Sequence, residues 1–306
     1  MTPVLGRRHF MSGALAAGFL GVSPVWALPP VRRQWVLQAG RDIERQSGGR
    51  MGFAVALASG ETVNWRGHER FAFCSSFKLS LAALMLSGAE KGEWRLDEKL
   101  QFGPPDVLSN SPALQARLSQ GVISIEDAAE AVQKQSDNGA ANLLMRRIGG
   151  YDRVNRFWRG LGDTVSRLDD YETALNRVPP GGLRNTTTPM AMAGNLLKMF
   201  RQDALSPVVA DRLKGWMHET TTGSKRLRAG FPAGWWAGDK TGTGLPADIR
   251  GTYVDLAWVE PPRHAPFAVA AFYNPPKPTP DGDSHAEELL AQVGRIVAQA
   301  IVPQGK

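Results

Sequence analysis

Phe77-Lys78-Leu79-Ser80-Leu81-Ala82-Ala83-Leu84-Met85-Leu86-Ser87-Gly88 is apolar nearly all the way round a helix. A helix without a polar stripe belongs in a protein interior. Around it, the chain changes character twice. On the N-terminal side, Val31 to Gln46 has helical spacing with mixed charges and is stopped by Gly48-Gly49. Met51 to Ala58 (MGFAVALA) then reads as a strand, with Glu61 to Trp65 returning beside it as a hairpin. On the C-terminal side helical periodicity persists through Ser124–Gln133, Asn138–Ile148, Tyr151–Leu161 and Pro189–Phe200, the last opened by a Thr188-Pro189 cap. Past Gly223, Trp235–Lys240, Thr252–Val259 and Phe267–Tyr273 are short, aromatic and β-branched, which predicts antiparallel strands. Pro275 to Gly282 reads as a surface loop, and a final helix follows from Glu287, with Ser284 and Glu287 as a capping box.

Strands at both ends and helices between them predict an α/β fold of the α+β type. An antiparallel sheet flanked by N- and C-terminal helices carries an inserted all-helical domain, with an active site between the two. The boundaries fall near Phe73 and His218, dividing the chain into a sheet domain (28–73 and 219–306) and a helical domain (74–218).

The chain has 306 residues, 42% hydrophobic and 21% charged, as an ordinary globular protein does. Its net charge of +7 comes from scattered Lys and Arg, so no nucleic-acid partner is indicated. At the N-terminus, Arg7-Arg8-His9-Phe10 precedes a mildly apolar run from Met11 to Val22 and a Val25-Trp26-Ala27 ending. That order is a secretory signal over 1–27, of the twin-arginine type, too short and glycine-rich for a membrane span. Export to the periplasm or medium is expected, with no membrane association after cleavage. The single cysteine, Cys74, excludes an intramolecular disulfide and reads as a buried structural thiol.

Three short motifs carry chemistry. In Ser75-Ser76-Phe77-Lys78, Ser75 and Lys78 share a helix face about one turn apart. Lys78 can take the serine's proton only when neutral, and desolvation and a nearby Lys240 both push it that way. The Ser75 amide, at a helix start, is available to an oxyanion. Ser136-Asp137-Asn138 opens a helix, where capping alone accounts for two residues; the functional reading makes Ser136 a proton relay to a leaving nitrogen and has Asn138 hold a substrate amide. Lys240-Thr241-Gly242-Thr243-Gly244 ends a strand. Lys240 and Thr241 suit an anionic carboxylate, Gly242 permits close approach of a substrate backbone, and the Thr243 amide completes the oxyanion hole. No histidine falls in these motifs and no H-E-x-x-H occurs, so neither a zinc site nor any other cofactor is expected.

With these three motifs in this order, the chain resembles the class A serine β-lactamases over essentially all of the mature sequence. A fourth segment, Arg167-Leu168-Asp169-Asp170-Tyr171-Glu172-Thr173-Ala174-Leu175-Asn176, resembles that family's Ω-loop, here spanning about 167–185. The resemblance implies a monomer whose substrate is a small-molecule β-lactam, a penicillin or a cephalosporin. It implies Ser75 as nucleophile, with Lys78 and Glu172 as alternative acylation bases. It also implies Glu172 with Asn176 as holders of the hydrolytic water. Arg226 matches an arginine that supports the substrate carboxylate in some members, with Arg250 as the rival. Thr243 adds a hydroxyl near that carboxylate and hints at cephalosporin activity.

Three departures stand out. The usual Arg–Asp closure of the Ω-loop is replaced by Asp170 and Asn185, so a different brace is expected, with Arg184 or Arg177 pairing Asp170. Tyr171 replaces a tryptophan. Asn110 stands where an aromatic gatekeeper is common. Penicillin-binding DD-peptidases share the first three motifs but lack the Glu172–Asn176 pair. A non-hydrolytic sensor usually carries a membrane span and a signalling domain, and a general serine esterase would need a G-x-S-x-G elbow.

Overall fold

The computed structural model describes residues 30–201 and 204–302; the signal-peptide reading of 1–27 lies outside them. In chain order, helix α1 (Pro30–Ser47) leads into strands β1 (Arg50–Leu57), β2 (Thr62–Trp65) and β3 (Phe71–Ala72), then the interior helix α2 (Lys78–Glu90). Strand β4 (Lys99–Gln101), helix α3 (Pro112–Ala116) and strand β5 (Val122–Ser124) precede helices α4 (Ile125–Lys134), α5 (Asn138–Arg147) and α6 (Asp152–Gly160). After a long loop come β6 (Thr186–Thr187), α7 (Pro189–Arg201), α8 (Pro207–His218) and the short α9 (Leu227–Gly230). Strands β7 (Trp236–Gly244), β8 (Thr252–Glu260) and β9 (Phe267–Asn274) and helix α10 (Ser284–Ile301) complete the chain.

The main sheet runs in the order β2-β1-β9-β8-β7, every neighbour antiparallel. Its middle strands are buried on both faces, which is why they read as nearly continuous apolar runs. Along β8, Val254, Leu256 and Trp258 join a core with α2, α4, α5, α7 and α8, while Tyr253, Ala257 and Val259 join a second core with α1 and α10. The two-residue period of the strand thus divides one sequence between two hydrophobic layers. Strand β7 is an edge, and its outer side faces the turn that carries Ser75.

Helix α2 is buried from Lys78 to Gly88, as its unstriped sequence predicts. Against it Trp158 of α6 is fully buried, its indole donating to Ser80 Oγ at 2.9 Å and its ring lying 5.8 Å from Phe73. The last helix begins three residues earlier than its sequence suggested. Asp283, not Ser284, is the cap, accepting from the His285 amide at 2.9 Å, and Glu287 turns instead toward Arg226. Trp235 lies outside β7, whose strand continues through the whole Lys240–Gly244 motif.

Two substitutions test this packing by urea unfolding. Trp158→Ala should cost about 3–5 kcal/mol, the range for emptying a large buried aromatic site. Gly194→Ala, in the interior of α7 with open space where its Cβ would stand, should stabilise by about 0.5–1 kcal/mol through helix propensity alone.

Candidate active site

Ser75 lies in a single 3₁₀ turn, Cys74–Phe77, that runs directly into α2. Side chains three apart eclipse in a 3₁₀ turn, and Lys78 Nζ accordingly donates to Ser75 Oγ at 3.0 Å. The same ammonium faces Ser136 O at 2.9 Å, Asn138 Oδ1 at 2.5 Å and Glu172 Oε1 at 2.9 Å. Four oxygens surround a group with three protons. The serine hydroxyl can therefore turn its own proton to Glu172 Oε1, 3.1 Å away.

Lys78 and the Glu172 side chain have no exposed surface. Burial lowers the Lys78 pKa, and the adjacent Glu172 charge opposes that pull. Lys240 is held well below its usual range, first by burial and then by the charge of Lys78. Its Nζ donates to Ser136 Oγ at 3.0 Å and to Thr241 O at 2.8 Å. Ser136 therefore joins the two lysines, its carbonyl on Lys78 and its hydroxyl on Lys240. Its φ of 60°, in the left-handed region, aims both groups inward.

Ser136 precedes α5, which Asp137 caps. One Asp137 oxygen accepts from the Ala140 amide at 2.8 Å, and the other accepts from Ala113 and Leu114 at 2.9 and 3.3 Å. Of the two cap residues read from the sequence Asp137 caps the helix, while the Ser136 hydroxyl faces Lys240, and the Asp137 carboxylate also ties α5 to α3. Asn138 is engaged at both ends, accepting from Lys78 and donating to Ser109 O at 2.6 Å. Asn110, at φ 54°, donates to Ser136 O at 2.9 Å and lines the mouth of the pocket.

On the opposite wall, Gly242 is constrained by the protein itself. A Cβ there would stand 2.6 Å from Phe73 O and 2.9 Å from Ser76 N, so the edge strand lies directly against the nucleophile's turn. Thr241 Oγ1 is 2.6 Å from Thr222 Oγ1. Arg226 donates to Thr243 Oγ1 at 2.7 Å and to the carbonyls of Gly242 and Val254 at 3.1 and 2.9 Å. Ser75, Asn110, Ser136, Asn138, Asn176, Thr222, Arg226 and Thr241–Thr243 line one pocket of about 320 Å³. Arg250 lines a different cavity. Cys74, with φ 48°, is buried behind the serine, and burial pushes its thiol up in pKa, away from any nucleophilic role.

Without the family resemblance, Glu172 reads as a carboxylate on a loop. It is buried because Asn142 of α5 clamps its backbone, accepting from the Glu172 amide at 2.9 Å and donating to its carbonyl at 2.8 Å. Asn176 Nδ2 holds Glu172 Oε2 at 2.7 Å, while Asn176 Oδ1 is buried with no donor among the described residues. Sequence reasoning missed Asn142, although its spacing of four from Asn138 puts both on one face of α5. It also missed Asp239 and Asp255, two buried carboxylates behind Lys240 and Thr241. Arg228 Nε meets Asp239 at 2.8 Å, the Leu227 amide meets Asp255 at 2.9 Å, and one oxygen of each acid has no hydrogen-bond partner among the described residues. Burial lifts the Asp239 pKa to about 6 against the pull of Arg228, and raises Asp255 well above the usual range.

The Ω-loop is braced without the family's usual pair. Arg184 meets Asp170 at 2.5 Å, one of the two expected partners. The other, Arg177, binds Asp248 instead and has no part in the brace. The inner clasp is Asn185, whose Oδ1 accepts from the amides of Asp169 and Asp170 at 2.9 and 3.2 Å. Its Nδ2 donates to Asp170 Oδ2 at 2.8 Å. Asn185 is buried, at a φ of 55° that asparagine tolerates. Tyr171 packs edge-on to Tyr151 at 5.7 Å. Among the described residues, no group of three or more His, Cys, Asp or Glu could hold a metal ion.

Known proteins resemble the chain over most of its length. The model of the beta-lactamase enzyme family matches residues 37–301. The chain is 36% identical to beta-lactamase OXY-2 of Klebsiella oxytoca, covering 96% of this chain and 98% of that protein. It is 37% identical to the carbapenem-hydrolyzing beta-lactamase KPC of the same organism, over 86% and 88%. An ancestral class A beta-lactamase (GNCA) superposes with a TM-score of 0.81 at 40% identity, over 87% of this chain and 99% of its own.

The brace and the buried acids each give a measurable consequence. Arg184→Ala breaks an exposed pair and should cost under about 1 kcal/mol. Asn185→Ala strips the inner clasp and should cost about 2 kcal/mol or more, read by thermal melting. For Asp239, the folded pKa of about 6 lies above the ordinary 3.8, so the folded state retains a proton that the unfolded chain has lost. Its contribution to stability is therefore full below about pH 4 and falls away as pH rises through 6. Asp239→Asn should flatten that limb in urea titrations at pH 4, 5, 6 and 7.

Proposed function

The chain belongs to the class A serine β-lactamases, and on that premise we propose that it opens the β-lactam amide of penicillins or cephalosporins through an acyl-enzyme on Ser75. The observation that carries this reading is the Glu172 carboxylate, buried and met at once by Ser75 Oγ, Lys78 Nζ and Asn176 Nδ2. A carboxylate so placed can serve both halves of the reaction.

In acylation, Ser75 Oγ attacks the ring carbonyl while its proton passes to the Lys78–Glu172 pair, both within 3.1 Å. Burial keeps Lys78 able to exchange that proton. The amides of Ser75 and Thr243 take the oxyanion, a role in which losing one donor typically costs about 10²–10³ in rate. The carbon–nitrogen bond breaks as Ser136 Oγ gives its proton to the ring nitrogen, and Lys240 Nζ, 3.0 Å away, replaces it. The substrate carboxylate lies against Lys240, Thr241, Thr243 and Arg226, an arrangement favoured by the buried positive charge of that wall. Asn138 positions the substrate amide from the pocket floor, and Asn110 borders the open mouth.

Deacylation needs a base on a water molecule. Glu172 supplies it, and the unpartnered Asn176 Oδ1 offers the second acceptor that orients the water. The ester bond breaks as the water oxygen takes the acyl carbon, Ser75 Oγ recovers one proton from the Lys78–Glu172 pair, and exchange with solvent removes the pair's other added proton and restores the one Lys240 gave up. A DD-peptidase lacks this pair and stays acylated, so the Glu172–Asn176 contact is what favours hydrolysis. The same reading places the mature chain, freed of residues 1–27, as a monomer in the periplasm or medium. No helix among the described residues is long and apolar enough to cross a membrane.

Intact-mass spectrometry with a penicillin tests the assignment. Glu172→Ala should accumulate a persistent adduct with turnover lowered by three orders of magnitude or more, roughly the loss expected of a general base whose removal also strands the intermediate. Ser75→Ala should form none. Rapid turnover by the first variant, or an adduct on Cys74 in the second, would remove the residue concerned from its role.

A further inference from the structure

A second cavity, of about 660 Å³, opens at the end of the main sheet and is roofed by residues 178–183 of the Ω-loop. It shares no lining residue with the pocket of Ser75. Its walls combine two kinds of surface. Val178, Pro179, Pro180 and Leu183 make a stiff apolar side, and Leu183 leaves 54% of its surface exposed, while Phe71 is buried beneath the Arg50 guanidinium. Arg50, Arg70 and Arg250 make the other, against a single carboxylate, Glu69.

The charge is not balanced within the protein. Arg50 is committed, meeting Glu69 at 3.2 Å and lying 3.8 Å over the Phe71 ring. Arg70 donates to the neutral Thr186 Oγ1 at 2.8 Å, and neither Arg70 nor exposed Arg250 meets a carboxylate among the described residues. Guanidinium forks match oxyanions of planar or tetrahedral shape, and a cavity of this size suits a drug-sized organic molecule. We propose that this cavity is a binding site for an aromatic carboxylate or sulfonate, its ring against the wall of Val178, Pro179, Pro180 and Leu183 and its anion between Arg70 and Arg250.

Val178 is two residues beyond Asn176, so an occupant would hold the limb of the loop that brings Asn176 to Glu172. On the hydrolytic reading above, the bound anion alters the rate of deacylation through Asn176.

The test is calorimetric titration of the folded protein with naphthalene-2-sulfonate, alongside neutral naphthalene-2-methanol, with amide hydrogen exchange to locate the ligand. Stoichiometric binding of the sulfonate is expected, weakened roughly tenfold by Arg250→Gln and again by Arg70→Gln, as befits a charge-assisted contact. The neutral compound should bind more weakly, and protection should fall on 178–183 and 250–252. Both variants should melt within a few degrees of the parent, since Arg250 is exposed and the half-buried Arg70, just before β3, gives up a side-chain hydrogen bond to the neutral Thr186 that a glutamine amide can also make. Equal affinity in parent and variants, or protection centred on 75–78 and 240–243, overturns the site. Absence of β-lactam turnover would sink the hydrolytic reading but leave the titration standing. A flat titration beside normal turnover would sink the cavity alone.

Discussion

Lys78 carries a cation into a helix with no access to water, and the arrangement around the nucleophile answers that single cost. An isolated buried ammonium is strongly unfavourable, and removing one partner of such a pair is worse than never forming it. Four oxygens converge on it from three separate places: Ser75 from its own turn, Ser136 and Asn138 from the start of α5, and Glu172 from the Ω-loop. The loop must fold inward to deliver Glu172, so Asn142 and Asn185 hold its backbone there. The same demand explains why Ser136 accepts a left-handed backbone. Stability here is spent on geometry that serves reaction, as buried functional sites commonly require.

The sheet and the long helices were legible because burial on two faces writes itself as period and composition. The β8 run and the unstriped α2 have no other sensible home. Lys78 and Lys240 were legible because each is unusual for its setting, a lysine inside an apolar helix or at the inner end of an aromatic strand, and Ser75 and Ser136 because each belongs to one of three short motifs standing in order. What could not be read was anything that depends on two distant segments meeting. Asn142 looks like any polar helix residue until Glu172 lies against it. Asp239 and Asp255 are ordinary strand acids until β7, β8 and α9 enclose them. Gly242 was read as room for substrate, yet the first backbone it admits is that of Phe73 and Ser76. The cap of α10 was misplaced by one residue because Asp283 and Ser284 are both good caps, and only the loop geometry chooses between them.

The Ω-loop shows how a charged closure can be replaced. With Asp170 on one strand of the loop and Asn185 on the other, Coulombic attraction between those positions is gone. Asn185 substitutes two backbone amides and a carboxylate oxygen as partners, all short and mostly screened from water. Arg184 adds a salt bridge at the rim, where solvent weakens it. A clasp in which one partner is a neutral amide is less sensitive to ionic strength than an ion pair. The loop should accordingly keep its shape across salt concentrations that loosen a charged latch.

Cys74 gives this chain an internal reporter. It is the single thiol among 306 residues, adjacent to the nucleophile, and its Sγ would lie 2.9 Å from a Cβ on Gly244. It is sealed between the Ser75 turn and strands β7 and β8, with burial disfavouring the thiolate. A thiol reagent can reach it only when that wall parts. The rate of its labelling in native buffer therefore measures how often the site opens, separately from unfolding of the whole molecule.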